Sequence, residues 1–361
     1  MAFRRGAKRT QTALVALLAC LCLAPGPAVA AGIGHGSPFA GTALWVNQIS
    51  PAGTPQTLAA TGAQAGAHTL FVKAGDGSTP DPQFTPALVG ALRAAGISVC
   101  GWTFAYGQDP LAEAAVAVAA VKAGAQCLVI DAEGQYDKLY AAAQLFVHTL
   151  RMQLGARFPI GLAGQAEVAQ HPTFPYSVFL GPGGFDVDLP QMYWLELGVS
   201  VDAAYAATLG ANSIYGRPIL PVGQLAGDPA TGELSRFRSL ARAFGSAGVS
   251  FFDLDVAQSQ ELNALAAPVA RTARRSIVPP TLPAGADGDE VVWAQELLNA
   301  AGARLPVGGF FGAQTARALV RFQSSRRLRA SGVLDVASWK ALERLHPREP
   351  SWALAPPDSA R

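Results

Sequence analysis

The chain has 361 residues, half of them hydrophobic and 14% charged, with a formal net charge of +2 at pH 7. That length and apolar content allow a large buried core and more than one average domain, and they exclude a disordered or fibrous polypeptide. The near-neutral balance carries no nucleic-acid footprint, so charge alone names no partner.

The first thirty residues follow a different logic. Arg4, Arg5, Lys8 and Arg9 precede the apolar run ALVALLACLCLA and the small-residue site Ala28-Val29-Ala30, the order of a secretory signal peptide over residues 1–30. The run stops at Pro25-Gly26-Pro27, short of the roughly 20 residues a membrane span needs. The mature chain is therefore expected to have no membrane span and to be secreted or cell-wall associated, periplasmic in a Gram-negative cell. A looser reading makes Cys20, after Leu17-Leu18-Ala19, a lipoprotein attachment point. Export leaves only Cys100 and Cys127, which can lie level in adjacent strands. A disulfide is permitted there, and two small buried hydrophobes are the other reading. Five scattered histidines, with neither HExxH nor CxxC, give no metal site, and no organic cofactor is implied.

From 38 to 267 short apolar runs alternate with Ala-rich segments of helical spacing, the pattern of parallel βα units. Eight runs are strand candidates: 43–49, 68–74, 98–105, 127–133, 159–165, 188–194, 218–225 and 249–255. Eight is the number that closes a (β/α)8 TIM barrel. Between them TPALVGALRAAG, PLAEAAVAVAAVKAG, LYAAAQLFVHTLRMQLG and SRFRSLARAFGSAG read as helices, each ending in a glycine suited to a helix C-terminus. The fold class is thus α/β.

Polar and aromatic residues gather at the C-terminal strand ends, the face that carries active sites in such barrels. The candidates for substrate contact are Asn47, Lys73, Asp76, Trp102, Tyr106, Gln191, Tyr193, Trp194, Gln224, Asp253 and Asp255. The stretch VIDAEGQY at the end of the fourth run adds two acids, Asp131 and Glu133. Residues two apart on a strand point the same way, and a like charge beside a partly buried acid raises the pKa of one of the two. The expectation is a general acid, Glu133, that keeps its proton, beside an ionised Asp131 that orients or stabilises. Glycoside cleavage is the reaction that most often asks for such a pair. The aromatic faces of Trp102, Tyr106, Tyr193 and Trp194 suit stacking on sugar rings.

The passage LFVKAGDGSTPDPQFTPALVGALRAAGISVCGWTFAYG, followed by CLVIDAEG, resembles the family 25 glycoside hydrolases, the muramidase type of lysozyme. These carry a lysine after strand two, an AG before strand three and a D-x-E on strand four. The resemblance places Asp131 and Glu133 on that family's acid pair. Family 18 barrels also use a D-x-E ending, whose aspartate holds the substrate's N-acetyl group as internal nucleophile. Both likenesses imply N-acetylated sugars as substrate. Where the muramidases have an aspartate at the end of strand one this chain has Asn47, so a second acid is expected from Asp253, Asp255 or Asp76.

Residues 268–284, PVARTARRSIVPPTLPA, form a linker rich in arginine and proline. A small all-α module follows at 285–345, and 346–361 reads as a loose tail. Within the module GDEVVWAQELLNAAG, VGGFFGAQTARALVRFQ and LRASGVLDVASWKAL resemble the three-helix peptidoglycan-binding domain of cell-wall hydrolases. Val291, Gln295 and Leu298 share a helix face, Gly309 and Gly312 suit a tight turn, and Thr315 is placed for local capping. Phe322 and Trp339 read as core. Gly308 and Ser331 stand where that family commonly has Asp, and Arg327 where it has Gly.

The expected protein is an exported glycoside hydrolase of lysozyme-like type, acting on peptidoglycan or a related wall glycan. The rivals are a non-catalytic wall binder with a degenerate barrel, which Asn47 would suit, and a hydrolase of another exported polysaccharide.

Overall fold

A computed structural model describes residues 33–34, 36–49, 53–270 and 272–353. The expected signal peptide, the alternative attachment at Cys20 and the end of the tail from 354 lie outside them. Eight parallel strands close on themselves. β1 (Gly41–Val46) pairs with both β2 (Thr69–Asp76) and β9 (Gly248–Phe252). Between these run β4 (Ser98–Ala105), β5 (Cys127–Ala132), β6 (Ile160–Gln165), β7 (Val187–Gln191) and β8 (Val222–Gln224). β3 (Thr79–Pro80) is an antiparallel flap on β2. The strand expected over 218–225 is cut to three residues because Pro218 and Pro221 have no N–H for the ladder. Their carbonyls still accept, from the backbone N–H groups of Asp188 and Ser250.

The outer layer comprises α1 (Pro55–Gln64), α2 (Pro86–Ala94), α3 (Pro110–Lys122), α4 (Tyr140–Leu154), α5 (Tyr176–Phe179), α6 (Val201–Asn212), α7 (Thr231–Phe244) and α8 (Ser259–Ala266). The first three begin alike. Thr54, Thr85 and Asp109 cap the backbone N–H groups of Thr57, Leu88 and Ala112, with a proline next in chain, where its missing N–H costs nothing. Gly245 closes α7 in the left-handed conformation, at φ 85°.

Strand alternation sorts the core into two clusters. Ala43, Trp45, Phe71, Cys100, Trp102, Cys127, Val129, Ala163, Val187 and Leu189 fill the lumen, while Leu44, Val46, Leu70, Val72, Leu128 and Ile130 pack outward with the helices. Cys100 and Cys127 are register partners on β4 and β5 and are joined as a disulfide inside the lumen.

The C-terminal module has three helices, α9 (Asp289–Ala300), α10 (Ala313–Ser325) and α11 (Val336–Leu342). Two buried glutamines fix its turns. Gln295 accepts from the N–H groups of Gly308 and Gly309 and donates to Phe310 O and Thr315 Oγ1. Gln323 accepts from Gly332 N and donates to Val333 O and Ser338 Oγ. Thr315 is therefore Gln295's partner, where capping was expected. Gly309 has φ 75°, whereas Gly312, at φ −83°, needs no glycine for its backbone. Phe322 and Trp339 are buried.

Arg327 occupies the left-handed region at φ 57°, which explains why the resembled family favours glycine there. A non-glycine residue pays about 1–2 kcal/mol for that conformation. Arg327→Gly is expected to raise stability by about 1 kcal/mol, part of the relief being offset by glycine's freer unfolded state. Chemical denaturation of the two forms checks this.

Among the described residues, linker and tail are both held against the rest of the chain. Thr272 Oγ1 donates to Ser239 O and Arg275 N to Ala243 O on α7, and Trp339 Nε1 donates to Pro280 O. Trp352 lies against Tyr140 with ring centroids 4.4 Å apart, Gln144 bonds both Pro350 O and Trp352 N, and Glu349 meets His148 at 2.8 Å. The loose tail expected over 346–361 is thus ordered as far as it is described, because Trp352 finds an apolar seat on α4.

Module and barrel are packed together. Asp289 is buried and accepts from Ser177 N at 2.8 Å, Ser177 Oγ at 2.7 Å and Tyr215 Oη at 2.8 Å. Asp289 N donates to Pro172 O, and Trp293 Nε1 to Ile214 O. All described residues fall in one compact unit. No described helix is long and apolar enough to cross a membrane.

Candidate active site

The inward positions of the strands lead to one cavity at the mouth of the barrel. Asp131 continues the lumen line of Cys127 and Val129, Gln165 that of Ala163, and Gln191 that of Val187 and Leu189. With Glu133 they line a cavity of about 400 Å³, floored by Trp45, Trp102, Phe104, Tyr193 and Phe252. The rings are set at angles: Trp45 and Trp102 have centroids 5.7 Å apart, and Tyr193 and Phe252 6.0 Å. Two indoles are fixed by hydrogen bonds, Trp45 Nε1 to Ser250 Oγ at 3.0 Å and Trp102 Nε1 to Val46 O at 3.1 Å.

The two acids are held as a unit. Gln191 Nε2 donates to Asp131 Oδ1 at 2.7 Å and to Glu133 Oε1 at 3.1 Å, and Gln165 Nε2 donates to Glu133 Oε2 at 3.3 Å. Burial, and then the carboxylate of Glu133, push Asp131 well above the usual carboxylate range. That direction favours the protonated form of Asp131, where an ionised one was expected. Tyr193 is pushed up by burial and by both acids, so its phenol stays neutral beside them.

Gln191→Leu removes one donor from each carboxylate. Since that hydrogen bond holds Asp131 down, Asp131 moves higher still. Any glycan-cleaving activity of the variant is expected to fall about tenfold or more, with the alkaline limb of its pH–rate profile, on which the Asp131 proton is lost, displaced to higher pH, and a pH series on wild type and variant checks both.

The remaining candidates divide. Trp102, Gln191 and Tyr193 line the cavity. Trp194 does not, being fully buried against Phe237. Nor does Gln224, whose amide is spent on Leu195 N and Ala226 O. Lys73, Asp76 and Tyr106 form a separate cluster, with Lys73 Nζ 3.0 Å from Asp76 and 5.2 Å from the Trp102 ring, and Tyr106 Oη donating to Asp76 at 2.8 Å. Asp255 accepts from the backbone N–H groups of Asn47 and Gln48 and is pushed up to about 6 by burial. It ties the end of β1 to the segment after β9, and Asn47 contributes through its backbone, its carbonyl accepting from Gln83 Nε2. Asp253 is buried and raised by burial, with Oδ1 unpaired among the described residues. None of Asp76, Asp253 and Asp255 lines the cavity; the third carboxylate there is Glu196, after β7.

Sequence reasoning missed Trp45, Phe104, Gln170, Glu196 and Phe252. The two-residue period already marks Trp45, Phe104 and Phe252 as inward-facing, whereas Gln170 and Glu196 sit on loops without periodic signal. Among the described residues no group of three or more His, Cys, Asp or Glu could hold a metal ion.

Residues 287–342 match the family model described as a peptidoglycan binding domain. Among solved structures, the chain is similar to the spore cortex-lytic enzyme SleL of Bacillus cereus, at 10% identity over 65% of this chain and 76% of that one, with a TM-score of 0.50. It is also similar to a chitinase from Chromobacterium violaceum, at 13% identity over 63% of this chain and 98% of that one, again with a TM-score of 0.50. A peptidoglycan-binding protein from Clostridioides difficile shares 33% identity over 18% of this chain and 40% of its own, with a TM-score of 0.18, so the match spans less than half of that protein. No curated protein matches the chain. The chain therefore carries a peptidoglycan-binding domain at residues 287–342, behind a (β/α)8 barrel with the fold of glycoside hydrolases.

Proposed function

We propose that this protein is an exported hydrolase of N-acetylated cell-wall glycan, kept on its polymer by the C-terminal domain. The observation that carries the reading is the acid pair: two carboxylates bridged by Gln191 in an aromatic-floored cavity, in a chain that also has a peptidoglycan-binding domain. The raised Asp131 supplies the proton. An acetamido N–H donating to Asp131 stabilises its anion, and the proton then moves to Glu133. Glu133 protonates the departing glycosidic oxygen while the acetamido carbonyl oxygen attacks the anomeric carbon, forming one C–O bond as the other breaks. Glu133, now a carboxylate, takes a proton from water as that water opens the cyclic intermediate. The anomeric configuration is retained and the acid restored. The aromatic floor offers faces for the sugar rings.

The test compares wall glycan before and after chemical de-N-acetylation. New reducing ends are expected from the N-acetylated polymer alone. Equal cleavage of both would remove the role given to the acetamido group, and cleavage of neither would remove the hydrolase reading.

A further inference from the structure

The chain has a second, larger cavity, of about 620 Å³, in the C-terminal module between the end of α9, the turn after it and α10. We propose that this cavity is the module's seat on the wall, and that it takes the free carboxylates of the peptide stems rather than the sugars. This rests on the wall-binding reading above and adds to it which part of the polymer is held.

The lining decides the chemistry. Arg304, Arg317 and Arg321 stand around the cavity, all exposed. None is in an ion pair among the described residues, and no carboxylate lines the cavity. Arg317 and Arg321 are four residues apart and so share one edge of α10. Leu298, Ala318 and Phe322, all buried, form an apolar floor. A guanidinium is a planar fork that binds a carboxylate through two parallel hydrogen bonds, and three forks around an apolar floor fit a short aliphatic peptide with several acid groups. Sugar recognition would call for an exposed aromatic face. The one aromatic here, Phe322, is 5% exposed and lies under Arg326, whose guanidinium is 5.5 Å from the ring centre.

Charge is also segregated across the module. Its buried acids, Asp289 and Glu296, are on α9, and Asp289 is spent on the barrel's Ser177 and Tyr215, leaving the arginine cavity uniformly cationic. The chain would then grip its polymer at two chemically distinct points, a peptide stem in the module and the glycan strand in the barrel.

The experiment pellets the full mature chain with purified sacculi, with sacculi stripped of phosphate-bearing polymers, and with glycan strands freed of peptide by an amidase. Wild type is compared with Arg317→Ala/Arg321→Ala and with the control Arg329→Ala/Arg344→Ala, which removes two exposed arginines outside the cavity. The first double variant is expected to bind sacculi about tenfold or more weakly, the control to bind as wild type, and wild type to lose binding to peptide-free strands while keeping it after phosphate removal. Full binding to peptide-free strands, or loss on phosphate removal, would overturn the proposal whatever the variants do. Equal binding by the cavity variant would overturn it as well. If wild type pellets with no preparation, the wall-binding reading itself fails, an outcome separate from arginine-independent binding.

Discussion

Glu133→Gln is expected to lower release of reducing sugar from sacculi by about 10²–10⁴-fold, the contribution of a positioned general acid, and to leave pelleting with the wall unchanged. Glutamine keeps the side chain's size and can still meet the amides of Gln165 and Gln191, which bond Glu133 at 3.3 and 3.1 Å, after an amide flip. What it cannot do is deliver a proton. The residual rate would come from the cavity's remaining contacts, Asp131 among them. A drop of less than about threefold would move the acid elsewhere, with Glu196 as the other cavity carboxylate on the mouth side of the barrel. Thermal unfolding of the variant, expected to match wild type, separates lost chemistry from lost structure.

Asp289→Ala is expected to be the most damaging single change outside the active cavity, at about 3–5 kcal/mol. The substitution strands the N–H and hydroxyl of Ser177 and the hydroxyl of Tyr215 in a buried interface, where each unpaired group costs about 1–3 kcal/mol. Asp289→Asn, which keeps one acceptor oxygen, should cost clearly less. Calorimetry should show whether the module separates first, as a second transition. The same acids set a pH dependence. Burial pushes Asp289 up to about 6, Glu290 to about 7 and Glu296 to about 9, the last two helped by the charge of Asp289. Neither oxygen of Glu296 has a hydrogen-bond partner among the described residues. Each group has a higher pKa folded than unfolded, so the native state binds more protons across that window and stability falls as pH rises. Full interface stability is expected near pH 4–5, with progressive loss up to about pH 9. A melting temperature that climbed over that range would contradict this reading of the interface.

The docked face of α9 explains what the sequence concealed. The helix is buried on nearly every side: Val291 and Leu298 face the module's core, while Asp289 and Trp293 face the barrel. Its run VVWAQELL carries apolar residues all round, the mark of a helix covered on both faces, but the match to a three-helix domain already accounted for one face and hid the other. The barrel was legible because eight apolar runs are separated by segments of helical spacing, four of them closed by a glycine, a local signal that survives in a single sequence. The D-x-E pair was legible through the same two-residue period, Asp131 on β5 and Glu133 one residue past its end. Gln191's bridge was not, since its meaning depends on where β7 stands relative to β5, and neither was the upward push on Asp131, which follows from its burial beside Glu133. The carboxylates expected to complete the site do not line the cavity, for a related reason. Asp255 has the right strand end, but its oxygens are consumed by the backbone of Asn47 and Gln48.

The contact between module and barrel lies close to the candidate cavity. The loop after β6 lines the cavity with Ala166 and Gln170, and two residues beyond Gln170 the carbonyl of Pro172 accepts from Asp289 N. His171, between them, pairs with Asp137 at 3.1 Å, four residues after Glu133. One loop thus touches the acid pair's surroundings on one side and α9 on the other.

Mass analysis of the material that purified sacculi release on incubation with the mature wild-type chain tests the central claim most directly. Soluble fragments with new reducing ends on N-acetylated sugars, absent with Glu133→Gln, are the predicted result. Wall-bound wild type that releases no such fragments would contradict it, and would leave a barrel that holds glycan without cutting it.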